Sequence, residues 1–157
     1  MPRRANKSIK RVISPDAQYK SVIVAKFINK IMMRGQKATA ERIVYDALHV
    51  ASQQLEKAPM DVLEQAIKNA TPLLMVKSRR VGGATYQVPI EVEATRGQKF
   101  AIRWLINSAR QRGGKSMKEK LGNELVDAVQ GRGTTIKKRE DAHKMAQANK
   151  AFAHFRW

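Results

Sequence analysis

Apolar residues recur three and four positions apart in six stretches of this chain, the spacing that lines one face of an α-helix. The first stripe is Val22, Val24, Phe27, Ile28, Ile31 and Met32. Ser14-Pro15-Asp16 predicts its start, with an N-cap hydroxyl, a proline in the first turn and a carboxylate near the positive end of the helix dipole; Gly35 is the expected stop. A second stripe, Ile43, Ala47, Leu48, Val50, Ala51 and Leu55, closes before Pro59. A third runs from Pro59 through Val62, Leu63, Ala66, Ile67 and Ala70, and ends because Pro72 pushes its predecessor out of the α region. Phe100, Ala101, Trp104, Leu105, Ser108 and Ala109 form the fourth, broken by Gly113-Gly114. Ser116 with Glu119 predicts a capping box opening the fifth, through Leu121, Leu125, Val126 and Val129. Beyond Gly131-Arg132-Gly133 an alanine-rich sixth helix is expected from Thr134 to the end, finishing with Phe152, Phe155 and Trp157.

Between the third and fourth stripes the period changes. Residues 73–92 read as a hairpin around Gly82-Gly83, since a two-residue primed turn needs positive φ at both central positions. Pairing outward sets Val81 opposite Ala84, Arg79 opposite Tyr86 and Lys77 opposite Val88. One face then carries Lys77, Arg79 and Tyr86, the other Ser78, Arg80, Thr85 and Gln87. Neither reads as greasy enough for a core. Two-stranded hairpins are marginal alone in water, so a basic one projecting from a domain implies an external partner. The expected fold is mainly α: a six-helix bundle with one protruding two-stranded antiparallel β-ribbon, read as a single RNA-binding domain over 1–157 with a basic N-terminal arm at 1–15.

Charge narrows the function. Lysine and arginine number 31 against 13 acidic residues, a formal net charge of +18 that calls for a polyanion. The chain has no cysteine, which excludes disulfides, thiolate metal sites and cysteine nucleophiles. The longest aliphatic run, Val22 to Ala25, is broken by Lys26, and the basic N-terminus lacks the apolar stretch of a secretory signal; a soluble, intracellular protein is expected.

Chemical motifs are sparse. Gly113-Gly114-Lys115-Ser116 resembles the end of a phosphate-binding loop, but Ala109 stands where the motif needs glycine and a helix precedes it. His49, His143 and His154 have no i, i+4 partner among themselves, so no metal site is expected. Glu140 and Asp141 are adjacent and cannot share a helix face as catalytic partners; pairing of Glu140 with Lys144 is the simpler reading. Met32, Met33, Met60, Met75, Phe100 and Trp104 read as core. No catalytic residue and no cofactor site emerges. Basic clusters stand out instead: the arm (Arg3, Arg4, Lys7, Lys10, Arg11), the ribbon, and Lys137, Lys138 and Arg139 opening the last helix. Arg110, Arg112 and Lys115 around the Gly113 turn are read as facing a phosphate backbone. Tyr86 either stacks on an unpaired base beside Arg79 or packs back on the bundle.

Phe27-Ile28-Asn29-Lys30, Lys77 to Val92, Arg103-Trp104-Leu105, Glu124 to Ala128 and the run from Lys137 to Trp157 together resemble the small-subunit ribosomal protein seven family, in its bacterial and organellar form. The resemblance covers nearly the whole chain; Met75 stands where the family often has an acid, and Ser8 to Ser14 is slightly longer. It implies a non-enzymatic protein of the cytoplasmic ribosome, or of an organellar one, that binds the three-prime major domain of small-subunit rRNA and nucleates the subunit head. It implies a place near the decoding centre, exit-site tRNA and messenger RNA, in contact with small-subunit proteins nine and eleven. Carried over, rRNA contacts fall on Arg3, Arg4, Lys7, Lys10, Arg11, Lys77, Arg79, Arg80, Arg110, Arg112, Lys115, Lys137 and Lys138. The tRNA- and messenger-proximal set is Arg79, Arg80, Gly82, Gly83 and Tyr86. A DNA-compacting protein and an RNA-modifying enzyme are the rival readings; the first predicts equal affinity for duplex DNA, the second a cofactor or metal pocket.

Overall fold

Among the described residues, six α-helices and one ribbon form in the order the hydrophobic pattern predicts. The computed structural model describes residues 12–155. Helix α1 spans Val22–Ile31, α2 Lys37–Leu55, α3 Pro59–Ala70, α4 Ala94–Gln111, α5 Met117–Val129 and α6 Thr134–Ala148. Strands β1 (Leu74–Val81) and β2 (Ala84–Glu91) lie between α3 and α4, and a 3₁₀ helix, Lys150–Phe155, follows α6. The apolar stripes meet in one core. Phe27, Leu48, Leu63, Leu105, Leu121 and Leu125, from α1 to α5, are among its largest fully buried side chains. Truncating a side chain such as Phe27 to alanine there costs on the order of 3–5 kcal/mol.

The first helix starts later than Ser14-Pro15-Asp16 predicts. Ser21 is its N-cap, with extended backbone and its Oγ accepting from the Ile23 N–H at 3.2 Å. Asp16 turns the chain instead. Its carboxylate accepts from the N–H groups of Gln18 (3.1 Å) and Tyr19 (2.9 Å) and from the Tyr45 hydroxyl of α2. Aspartate suits such a turn for the same reason it suits a cap, which is why the two signals are confused. Burial alone would raise the Asp16 pKa, but the Tyr19 N–H, the Tyr45 hydroxyl and the Gln18 N–H together hold it below the ordinary value. Burial, then the hydrogen bond to Asp16, pushes Tyr45 up to about 12. The helix ends at Ile31 with Met32 as its cap, and Gly35 sits beyond it at φ +75°.

Two further expectations are corrected. Ser116 occupies the N-cap of α5, but its side chain makes no capping bond, so the capping box is not formed. The last helix stops at Ala148, with Asn149 as its cap and the Asn149 Nδ2 donating to the Met145 carbonyl at 2.8 Å; the chain then tightens into the 3₁₀ helix.

The ribbon register is the one the Gly82-Gly83 turn dictates, with Val81 opposite Ala84, Arg79 opposite Tyr86 and Lys77 opposite Val88. Both glycines have positive φ, 56° and 88°, the angles of a primed hairpin turn. The ribbon is not bare on both faces, contrary to the alternation read from its sequence. Val88 is fully buried, and Tyr86 packs on Phe152 and Phe155. At its base the Leu73 N–H donates to Nε2 of His143 on α6 at 3.0 Å. The covering residues lie sixty and more positions downstream, beyond the reach of a local pattern.

Candidate nucleic-acid interface

Helices α1 and α4 pack on each other, and neither contains a single aspartate or glutamate. Their exposed faces carry Lys26 and Lys30 on α1, and Arg96, Lys99, Arg103 and Arg110 on α4. On α4 the cations stand three, four and seven residues apart. They form a ridge reaching about 21 Å at 1.5 Å per residue. Among the described residues, Lys26, Lys30, Arg96, Lys99 and Arg103 have no ion-pair partner. The absence of acids from both helices is a signal present in the sequence, but charges spaced along a helix form no contiguous cluster there.

The structure divides the expected binding residues. Lys77, Arg80, Lys115 and Lys137 are exposed, and Gly82 and Gly83 form the ribbon tip. Arg79 is half-buried on the Tyr86 side of the ribbon. Arg110 is exposed but donates from Nη2 to the Ile31 carbonyl at 3.1 Å, closing the C-terminus of α1. Lys138 reaches back to the buried Ser108 hydroxyl at 3.2 Å. Arg112 is held inside the fold, paired to Glu124 at 2.9 Å and to Asp127. Its half-buried guanidinium organises the turn between α4 and α5. Arg3, Arg4, Lys7, Lys10 and Arg11 lie outside the described residues, as does Trp157.

Several side chains play roles that the sequence misassigned. Arg139 donates to the Asn69 carbonyl and lies 3.6 Å from Glu140; that pair replaces the expected Glu140–Lys144 pair. Tyr86 takes the second of its two readings, with ring centroids 5.3 Å from Phe152 and 4.9 Å from Phe155. Met33 is 62% exposed and not core. Phe100 and Trp104 are only half-buried, 6.0 Å apart, with the Arg96 guanidinium 5.9 Å from the Phe100 ring. Among the described residues no group of histidine and carboxylate side chains is placed to hold a metal, and no helix is long and apolar enough to cross a membrane.

A helical body, a clasped ribbon and a ridge of cations, most of them without an ion-pair partner among the described residues, define a class: a basic protein that offers a rigid surface to a polyanion. The family profile described as "Ribosomal protein S7p/S5e" matches residues 2–150. A protein of Dehalococcoides mccartyi (strain ATCC BAA-2100 / JCM 16839 / KCTC 5957 / BAV1), named "Small ribosomal subunit protein uS7", is 57% identical over 157 residues, all of both chains. Proteins of the same name match from Chloroflexus aurantiacus (strain ATCC 29366 / DSM 635 / J-10-fl), 57% over 99% of this chain and 98% of that one, and Pelotomaculum thermopropionicum, 55% over all of both. The chain belongs to the ribosomal protein S7p/S5e family, whose members are structural parts of the ribosome and not enzymes.

Proposed function

We propose that this chain is a structural constituent of the small ribosomal subunit that binds the three-prime major domain of its RNA and nucleates assembly of the subunit head. In this reading it works in the cytoplasmic ribosome, near the decoding centre. The tip of the ribbon faces exit-site tRNA and the messenger path, and small-subunit proteins nine and eleven are its neighbours. The observation that carries the reading is the acid-free α1–α4 pair, with five exposed cations that have no ion-pair partner among the described residues. Unneutralised charge at fixed spacing on a rigid body favours the folded form of an RNA junction over its open forms, because only the folded form presents phosphates at that spacing. The arm at 1–15, the ribbon and the body then act as one RNA-binding unit.

Binding to a transcript of the three-prime major domain across a salt series tests this. Bridging ~8 phosphates predicts a log–log slope of −6 to −7. A slope near zero, or equal affinity for duplex DNA in competition, overturns the reading. Footprinting of whole small-subunit rRNA is expected to give protection confined to the head junction.

A further inference from the structure

Where the ribbon leaves the body, a cavity of about 230 Å³ opens between its base and the first turns of α4. Met75, Ile90 and Phe100 supply apolar walls; Lys77 and Arg96 add cations, and Glu91 and Glu93 carboxylates. The volume lies under the ~300 Å³ at which pockets for drug-sized ligands begin, so it suits one flat ring system and not a whole nucleotide. We propose that this cavity takes one unpaired nucleobase of a bound RNA strand. The inference rests on the RNA-binding reading above and assigns a site to it.

Three features select that occupant. Phe100 is half-buried, so its ring is not used up by the core, and Arg96 lies against it. Aromatic rings and guanidinium planes are the surfaces on which unpaired bases stack. Lys77 and Arg96 are exposed, and α4 continues the charge through Lys99 and Arg103; the flanking phosphates therefore find cations on either side of the base. Within the cavity, Glu93 turns one carboxylate oxygen to the Thr95 hydroxyl at 2.8 Å, and its other oxygen is an acceptor for an exocyclic amino group. A carboxylate wall repels phosphate and admits a base edge. A duplex has its bases stacked and cannot fill the site, so the cavity distinguishes unpaired from paired RNA.

The test uses the full chain with a single-stranded RNA carrying 2-aminopurine and a blunt duplex of the same sequence. Phe100→Leu keeps apolar volume and removes the stacking ring; Met75→Phe keeps the ring and fills the cavity. Each variant is expected to weaken single-strand binding about tenfold, abolish quenching of the 2-aminopurine emission, and leave duplex affinity unchanged. Wild-type affinity and quenching in either correctly folded variant, with the salt slope intact, overturns the base site alone; so does equal weakening on strand and duplex. Failure of the wild-type chain to bind either RNA overturns the RNA-binding reading itself.

Discussion

The ring of Phe155 lies 4.9 Å from the ring of Tyr86, centroid to centroid, their planes inclined at 32°. Phe152 adds a second ring at 5.3 Å, so the last described residues of the chain hold the middle of its ribbon. Each such aromatic pair contributes about 0.5–1.5 kcal/mol beyond its buried area. A two-stranded ribbon without support is marginal in water. Replacing Phe152 and Phe155 together by alanine is therefore expected to speed amide exchange across β1 and β2 while α2 and α5 keep their protection. Hydrogen exchange read by mass spectrometry checks it, and unchanged ribbon protection would mean that Val88 and α6 suffice.

Glu124 is 2% exposed and fully used. Oε1 accepts from the Thr135 N–H (3.1 Å), the Thr135 hydroxyl (2.6 Å) and the Thr134 hydroxyl (3.2 Å), while Oε2 meets Arg112 at 2.9 Å. A carboxylate from α5 thus caps α6, whose own N-cap, Gly133, has no side chain to do so. Glu124→Gln leaves the volume and removes the charge. The expected loss is about 3 kcal/mol, the low end for breaking a buried pair, because Arg112 keeps Asp127. Urea unfolding at constant m measures it.

Arg103 and Arg112 separate binding from folding. Arg103 is exposed on the α4 ridge with no ion-pair partner among the described residues, whereas Arg112 bridges Glu124 and Asp127. Arg103→Ala should lower RNA affinity and reduce the salt slope by about 1 with little change in stability. Arg112→Ala should destabilise the fold and leave the slope as it was. Salt-dependent binding beside thermal unfolding distinguishes them, and a reversed pattern would move the interface to the α4–α5 turn.

The architecture was legible because helix periodicity and turn chemistry are local: six stripes, Pro59 and Pro72, and the Gly82-Gly83 and Gly113-Gly114 pairs are enough for the elements and the ribbon register. What escaped depends on distant partners. Nothing near Tyr86 announces Phe152 and Phe155, and nothing near Arg112 announces Glu124 and Asp127; an arginine in a turn reads the same whether it faces phosphate or carboxylate. The α4 ridge was hidden for another reason. Arg96, Lys99, Arg103 and Arg110 are scattered in sequence and align only once the helix is wound.

Asp16 and Tyr45 give the fold a pH signature at both extremes. The folded pKa of Asp16 is lowered, so its contribution is present above the unfolded value near 3.9 and is lost as pH falls through the folded one. Tyr45 is raised to about 12, so its contribution is present below the unfolded value near 10 and is lost as pH rises through the folded one. Tyr45→Phe removes one of the donors, beside the Tyr19 and Gln18 N–H groups, that hold Asp16 ionised. The acid transition, followed by circular dichroism, should move to higher pH, and the latest phase of phenolate absorbance on alkaline titration should disappear. If both curves overlay the wild type, the Asp16–Tyr45 bond is not made in solution.

Gly97 lies buried in the first turns of α4, where alanine would ordinarily gain about 1 kcal/mol of helix propensity. Here a Cβ would stand 2.8 Å from Cγ2 of Thr71 and 3.3 Å from the Pro72 carbonyl oxygen. Thr71 cannot rotate away without losing the 2.7 Å bond from its hydroxyl to the Ile67 carbonyl, which ends α3. Overpacking costs about 1–3 kcal/mol, so it outweighs the propensity gain and Gly97→Ala should destabilise. Thr71→Ser removes the offending methyl and keeps the hydroxyl. The double variant should therefore recover most of the loss, a coupling that a double-mutant cycle isolates. Additive effects would place the strain at Pro72 instead, in the backbone that leads into the ribbon.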